Sequence, residues 1–223
     1  DALARLRDKI AGDRKTLGEV YGAPLYGIKT GLNEAFVVDE ATRDQLVAAD
    51  AKSADLLKPF LRGENVRRWA VESEGLFLIN TPKGKVDIEA YPAVRDWLLP
   101  FRPELEKRAT KQEWWELQQA QLAYQPKFSV TKIVYQDITA ENPFALDEGG
   151  FFLANTCYFL PSDDLFSLGF LNSRLCWFFL SAETNIARGG YLRLRTEFVE
   201  RLPVPDTNDT DRGCRTVLAQ TRP

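Results

Sequence analysis

The 223-residue sequence contains no histidine and no methionine. Without imidazole, Ser-His-Asp and Cys-His catalysis are excluded, as are histidine general bases and every zinc site that uses a histidine. Cysteine is scarce. Cys157, Cys176 and Cys214 are odd in number and far apart, and they form neither a C-x-x-C pair nor a disulfide framework. Cys157 and Cys176 lie in apolar runs, so buried, reduced thiols in a cytoplasmic protein are expected. Long apolar runs are missing too: the richest, 151–160 and 175–180, fall far short of a membrane span, and no membrane partner is expected. Nor is there a cationic excess. The 29 Lys and Arg face 32 Asp and Glu, for a net charge of -3, so any nucleic-acid partner has to rest on local patches.

What remains is ordinary globular material, 44% apolar and 27% charged, long enough to bury a core without staples. Residues 1–22 are expected to be a helical linker from an upstream domain, because Leu3, Leu6 and Ile10 share one helix face. Residues 23–205 form the expected domain, and the polar stretch 206–223 is expected to fray. The pattern predicts a short strand at 35–38 and a helix over 40–49 capped by Asp39. A second helix at 53–57 should stop at Pro59. A strand at 66–71 should pair with 76–79 through a turn at 72–75. Pro92 opens a helix that Pro100 breaks, and Pro103 opens another. Strands are predicted at 132–135 and 151–160, a long helix from Ser162 to about 182, and a last helix capped by Thr196. Helices and strands mix without regular alternation. The expected class is therefore α+β, a mixed β-sheet core with packed helices. No dinucleotide fingerprint or P-loop is present.

Catalytic motifs are weak. The acid pairs Glu104/Glu106 and Asp163/Asp164 read as helix-dipole partners. Asp39, Asp50 and Lys52 loosely resemble a metal-nuclease set but flank a predicted helix rather than core strands. Asn142-Pro143-Phe144 lacks the second proline of the Asn-Pro-Pro-aromatic tetrad of amino-methyltransferases and reads as a turn. Basic clusters carry more. Arg62, Arg67 and Arg68 surround Gly63; alternation would put Arg67 and Trp69 on one face and Val66 and Arg68 on the other. In 188–195, Tyr191, Arg193 and Arg195 would line one face beside Arg188, with Leu192 and Leu194 turned inward. Lys29, Thr30 and Asn33 lie on a loop with Gly27 and Gly31 that offers hydrogen-bond donors with little steric cover, and Gly189 and Gly190 would let the backbone approach a phosphate closely. Lys83 and Lys85 sit on an exposed loop.

At these same segments the chain resembles the TaqI-like C-terminal specificity domain, the target-recognition domain of adenine-specific DNA methyltransferases and type IIG restriction-modification enzymes. The residues carrying the resemblance are Tyr26-Gly27-Ile28-Lys29-Thr30-Gly31-Leu32-Asn33-Glu34-Ala35-Phe36, Lys58-Pro59-Phe60-Leu61-Arg62-Gly63-Glu64-Asn65-Val66-Arg67-Arg68-Trp69 and Lys132-Ile133-Val134-Tyr135-Gln136-Asp137-Ile138. Asn155-Thr156-Cys157-Tyr158-Phe159, Leu168-Gly169-Phe170-Leu171-Asn172-Ser173, Arg188-Gly189-Gly190-Tyr191 and Leu202-Pro203-Val204-Pro205 complete the series.

The resemblance implies a module that reads double-stranded DNA for a methyltransferase catalytic domain of the same parent chain. That domain would bind S-adenosylmethionine, and no cofactor is expected in this chain. It also implies that reading is done by variable loops, such as 83–85 or 107–115. The proposed DNA contacts are Lys29, Thr30, Asn33, Arg62, Arg67, Arg68, Lys83, Lys85, Arg188, Tyr191, Arg193 and Arg195. Arginine forks would suit guanine edges, and lysines would track phosphates. A protein-docking module built on the Arg-Gly-Gly-Tyr loop and Trp69 is the alternative, and a metal nuclease using Asp39, Asp50 and Lys52 a more remote one.

Overall fold

The computed structural model describes residues 2–184 and 189–204. Its helices are α1 (Ala2–Ala11), α2 (Leu17–Tyr21), α3 (Asn33–Phe36), α4 (Glu40–Ala49), α5 (Pro92–Leu98), α6 (Arg102–Leu105), α7 (Leu165–Leu171), α8 (Arg174–Glu183) and α9 (Thr196–Val199). Its strands are β1 (Leu25–Tyr26), β2 (Val37–Val38), β3 (Leu57–Leu61), β4 (Leu76–Ile79), β5 (Lys132–Gln136), β6 (Ile138–Thr139), β7 (Ala145–Asp147), β8 (Phe152–Leu153), β9 (Cys157–Leu160) and β10 (Leu192–Arg193). The class is α+β, as expected.

One sheet, in the order β1-β9-β5-β7, is buried on both faces. Period-two alternation sends Val134, Ala145, Cys157 and Phe159 to one side. Ile133, Tyr135, Leu160 and half-buried Leu146 go to the other. The first side packs on a core shared with a second sheet, β2-β4-β3-β8, and with α4 and α5. The second side is covered by α7, α8 and α9, with Leu17 of α2 beside them. A core on each face explains why β5 reads as an unbroken apolar run. Residues 15–18 also pair with 200–204: the Leu17 N–H donates to Leu202 O at 2.8 Å and the Val204 N–H to Lys15 O at 2.8 Å.

A fully buried ion pair fastens the edge of the central sheet. Lys132 and Asp147 face each other across β5 and β7. The Asp147 carboxylate also accepts the N–H groups of Gly149 at 2.8 Å and Phe151 at 3.1 Å. Lys132 Nζ donates to the Phe128 carbonyl as well. Burial pulls the Lys132 pKa down, and Asp147 opposes that shift.

Several expected elements are corrected. The strand at 35–38 shrinks to Val37–Val38, because Ala35 and Phe36 complete the one-turn α3. The helix at 53–57 is a 3₁₀ turn over Ala51–Asp55, and Pro59 lies inside β3. There it is tolerated because β8 pairs only with Phe60 and Leu61. No strand forms over 66–71. The Arg67 N–H donates to Ala70 O, Glu72 N–H to Asn65 O, and Trp69 adopts φ +73°, so the segment closes as a tight loop. The alternation proposed for Arg67 and Trp69 therefore does not apply, and β4 pairs with β2 and β3 instead. The strand at 151–160 splits into β8 and β9, which belong to different sheets. The long helix from Ser162 is two helices bent by 59°. Asp164 caps α7 and Ser173 caps α8. Between them, Asn172 binds the backbone of Phe144 with both ends of its amide, at 2.8 and 3.3 Å. Thr196 does not cap α9; its hydroxyl donates to Pro24 O at 3.0 Å.

Candidate nucleic-acid interface

Thr156, in the bend between β8 and β9, ties together segments that carry half of the proposed contact residues. Its hydroxyl accepts the Gly63 N–H at 2.9 Å, and its carbonyl accepts the Asp137 N–H at 2.9 Å. The Asp137 carbonyl takes the Leu194 N–H at 2.7 Å, and its carboxylate takes Arg193 Nε at 3.2 Å. Gln136 adds a bond from its amide to Val66 O at 3.3 Å. Four stretches remote in sequence, 62–66, 136–138, 155–156 and 193–195, thus meet at one end of the central sheet. Gly27 brings a fifth. A Cβ there would stand 2.0 Å from Ala154 O, so only glycine permits this approach.

The 191–195 segment behaves as its alternation predicts. Leu192 and Leu194 are buried, whereas Tyr191, Arg193 and Arg195 point outward with Tyr191 45% exposed. Tyr158 stands close enough to Asp137 and Arg195 to feel their charge, and its hydroxyl pKa is raised chiefly by burial. Tyr26 lies beside it, ring centroids 6.3 Å apart, and is itself exposed. On the Gly63 side, Asn33, Glu34, Arg62, Glu64, Asn155 and Thr156 line a cleft of about 390 Å³. Arg67 is exposed next to Val66. The arrangement offers guanidinium forks, amides and aromatic faces, the chemistry of base edges and phosphates.

The other proposed residues fare differently. Thr30 is buried and its hydroxyl donates to the Asn33 side chain at 2.6 Å, so it orients Asn33 instead of meeting a ligand. Arg68 folds back onto Asn172 O at 2.7 Å and over the Trp69 ring, a scaffold role. Lys29 is exposed, its backbone paired with Gln119. Lys83 and Lys85 are exposed on a separate loop beside 107–116. Arg188 lies outside the described residues.

Each of the four outward arginines of this end has a counter-charge: Glu64 and Glu72 already flank the Arg62–Arg68 cluster in the sequence, whereas Asp137 is remote from Arg193. Arg62 lies 3.8 Å from Glu64, Arg67 3.6 Å from Glu72, Arg193 3.2 Å from Asp137 and Arg195 3.9 Å from Glu197. All four guanidiniums are more than a third exposed, so each pair holds its fork loosely and contributes little to stability. A phosphate must nevertheless compete with these carboxylates. Asp137, Asn155 and Thr156 lie in segments that carry the family resemblance, but nothing in the sequence marks them as site residues, because isolated polar residues in loops have no periodic signature.

The remote catalytic readings lose their residues. Asp39 caps α4 through the Thr42 N–H, and Asp50 accepts the Lys52 N–H. Among the described residues, no three His, Cys, Asp or Glu side chains are grouped to hold a metal ion. Asn142 is buried and donates to Leu171 O at 2.6 Å, while Phe144 packs on Tyr135, so this turn is structural as expected.

The sequence model of the TaqI-like C-terminal specificity domain matches residues 58–204. The chain belongs to this family. The specificity-domain match takes in Arg62, Arg67, Asp137, Thr156 and Arg193, while Lys29 and Asn33 precede it. The type II methyltransferase M.PaeR7I of Pseudomonas aeruginosa is 26% identical over 207 residues, 87% of this chain and 34% of its own. The fold is similar to part of the type IIL restriction-modification enzyme MmeI, solved in complex with DNA. There the TM-score is 0.64 at 14% identity, over 92% of this chain and 28% of that one. This specificity domain thus spans about a third of the length of each.

Proposed function

We propose that this specificity domain recognises a short double-stranded DNA sequence for a restriction-modification adenine (N6) DNA methyltransferase. The observation that carries the reading is the convergence, around Thr156 and Asp137, of Asn33, Arg62, Arg67, Tyr191, Arg193 and Arg195. A family devoted to specificity and a similar fold solved with DNA support it. Catalysis would belong to a methyltransferase domain of the same parent chain, which would bind S-adenosylmethionine. A type IIG arrangement with a nuclease, serving cytoplasmic phage defence, fits this division of labour.

Mechanistically, the residues divide by chemistry. Arg62 and Arg193 present forks suited to guanine O6 and N7, and the Asn33 amide, held by Thr30, suits an adenine edge. Arg67, Arg195 and Lys29 would follow phosphates, and Tyr191 would lie against the sugar-phosphate rim. The test is fluorescence anisotropy of the chain with labelled duplex across a salt series. Affinity should fall steeply with salt, and Arg193→Ala should cost about 1–3 kcal/mol on the recognised site. Asp137→Asn should tighten binding by freeing Arg193. Salt-insensitive binding, or affinity unchanged in both Arg67→Ala and Arg193→Ala, would refute this assignment.

A further inference from the structure

The loop at 66–71 holds a tryptophan where its backbone favours a glycine. Val66 and Val71 bridge across the base of the loop, and the Glu72 N–H donates to Asn65 O at 2.8 Å. The Gln136 amide binds Val66 O at 3.3 Å, which fixes that base to the end of the central sheet. Above it the Arg67 N–H donates to Ala70 O at 2.9 Å, and Trp69 enters the left-handed region at φ +73°. Glycine enters that region freely, whereas a Cβ there crowds the backbone. Burial would be the ordinary compensation, yet residues 67–70 are all exposed, Trp69 by 45%. Strain held at an exposed aromatic points to a use of the ring rather than to packing.

The ring is nevertheless held in place. The Trp69 N–H donates to Phe144 O at 2.9 Å. The Arg68 guanidinium, itself bonded to Asn172 O at 2.7 Å, lies 5.7 Å from the ring centroid. Arg67 stands exposed beside them, with Glu72 3.6 Å away. A docking surface for a protein would need a wider apolar centre depleted of charge, and of the exposed neighbours only Ala70 is apolar. An aromatic surface among guanidiniums matches a ligand that alternates flat rings with anions.

We infer that the Trp69 indole stacks on a base of the bound duplex where one step opens, with Arg68 as its positioning residue and Arg67 on the adjoining phosphate. The inference rests on the DNA-recognition reading above. Every base has a flat face, so this contact adds affinity without reading a base edge; preference enters only through how easily a step opens, pyrimidine–purine steps most readily. The probe is the duplex that the 223-residue chain enriches from a randomised library, and the readouts are binding affinity and tryptophan emission, Trp69 being one of five tryptophans. The unaltered chain should lose emission on binding, because a stacked base quenches an indole. Trp69→Phe keeps a flat ring, and should bind nearly as tightly while losing a share of that quench. Trp69→Gly should lose the same share and weaken binding roughly 10-fold. Its urea midpoint should be no lower than that of the unaltered chain, because glycine relieves the left-handed backbone. Arg67→Ala should weaken binding and keep the full quench at saturation. A quench undiminished in Trp69→Phe, or affinity unchanged in Trp69→Gly, overturns the stacking and leaves DNA recognition standing. A clearly lowered midpoint in Trp69→Gly assigns the ring to the fold and overturns it as well. An unaltered chain that enriches no duplex overturns DNA recognition, and this inference with it.

Discussion

Asp147→Asn is a demanding test of the fold, because every neighbour of that carboxylate is a donor. Lys132 Nζ, Gly149 N–H and Phe151 N–H all point at it, and both charged side chains are fully buried. The amide keeps the shape but offers one acceptor oxygen, and it turns an NH₂ group toward donors. Breaking a buried ion pair by removing one partner costs about 3–5 kcal/mol, a large share of the roughly 5–15 kcal/mol that stabilises a domain. Urea unfolding should show it as a midpoint lowered by roughly 1–2.5 M, for a slope of about 2–3 kcal/mol/M. The loss also depends on pH. Burial already holds the Lys132 pKa down, and Asp147 is what opposes that shift. In the variant Lys132 is driven further toward its neutral form in the fold, while the unfolded chain keeps it protonated up to about pH 10.4. The unfolded state then binds more protons, so variant stability rises with pH, by up to about 1.4 kcal/mol per unit. The deficit against the unaltered chain should therefore narrow between pH 7 and pH 9.5. Thiol titration is common to both proteins and cancels. A deficit below about 1 kcal/mol at pH 7, or one that does not narrow, would refute the assignment of Lys132 and Asp147 as a mutually dependent charged pair.

Gly31→Ala should destabilise by about 1–3 kcal/mol, since φ is +87° and the new Cβ would meet Arg108 Cδ at 2.7 Å. Gly75→Ala, at φ +70° with open space around it, should cost less, and calorimetry of the two isolates the Arg108 contact. Asn172→Ala should cost about 1–3 kcal/mol by stranding the Phe144 N–H, while the Phe144 carbonyl keeps the Trp69 N–H, read as a lowered urea midpoint. The Cys157 thiol is pushed by burial up to about 12. A Cys214→Ser variant should accordingly show no thiol labelling at pH 8 until urea unfolds it. The raised Cys157 pKa means that its contribution is complete below about pH 9 and is lost as pH climbs toward 12, so stability should decline on the alkaline side.

Much of the core was legible. The apolar run at 132–135 and the Asp39 cap gave β5 and α4 directly, and strict alternation from Tyr191 to Arg195 gave both the buried leucines and the outward cations. The losses have identifiable causes. Pro59 ended a predicted helix because its place beside a late-starting strand depends on tertiary pairing. Asn172 bends the 162–182 helix through bonds to Phe144, which no periodicity reports. Trp69 takes a left-handed conformation that its side chain disfavours, so a β-rich run reads as a strand and folds as a loop. At the site, the cations and the flanking Glu64 and Glu72 were visible but the partner of Arg193 was not, since Asp137 is far from it in sequence and near it in space. Arg108, whose guanidinium donates to the carbonyls of Leu105, Thr30, Glu113, Trp114 and Glu116, was invisible as an organiser for the same reason: backbone carbonyls carry no side-chain signature.

The central claim, that the end of the sheet around Thr156 and Asp137 meets duplex DNA, is tested most directly by hydrogen-exchange mapping with and without a bound target duplex. The account predicts slowed exchange in 26–34, 60–72, 136–139 and 190–196, with α7 and α8 unaffected. Protection confined to α7 and α8, or none at saturating duplex, would contradict it.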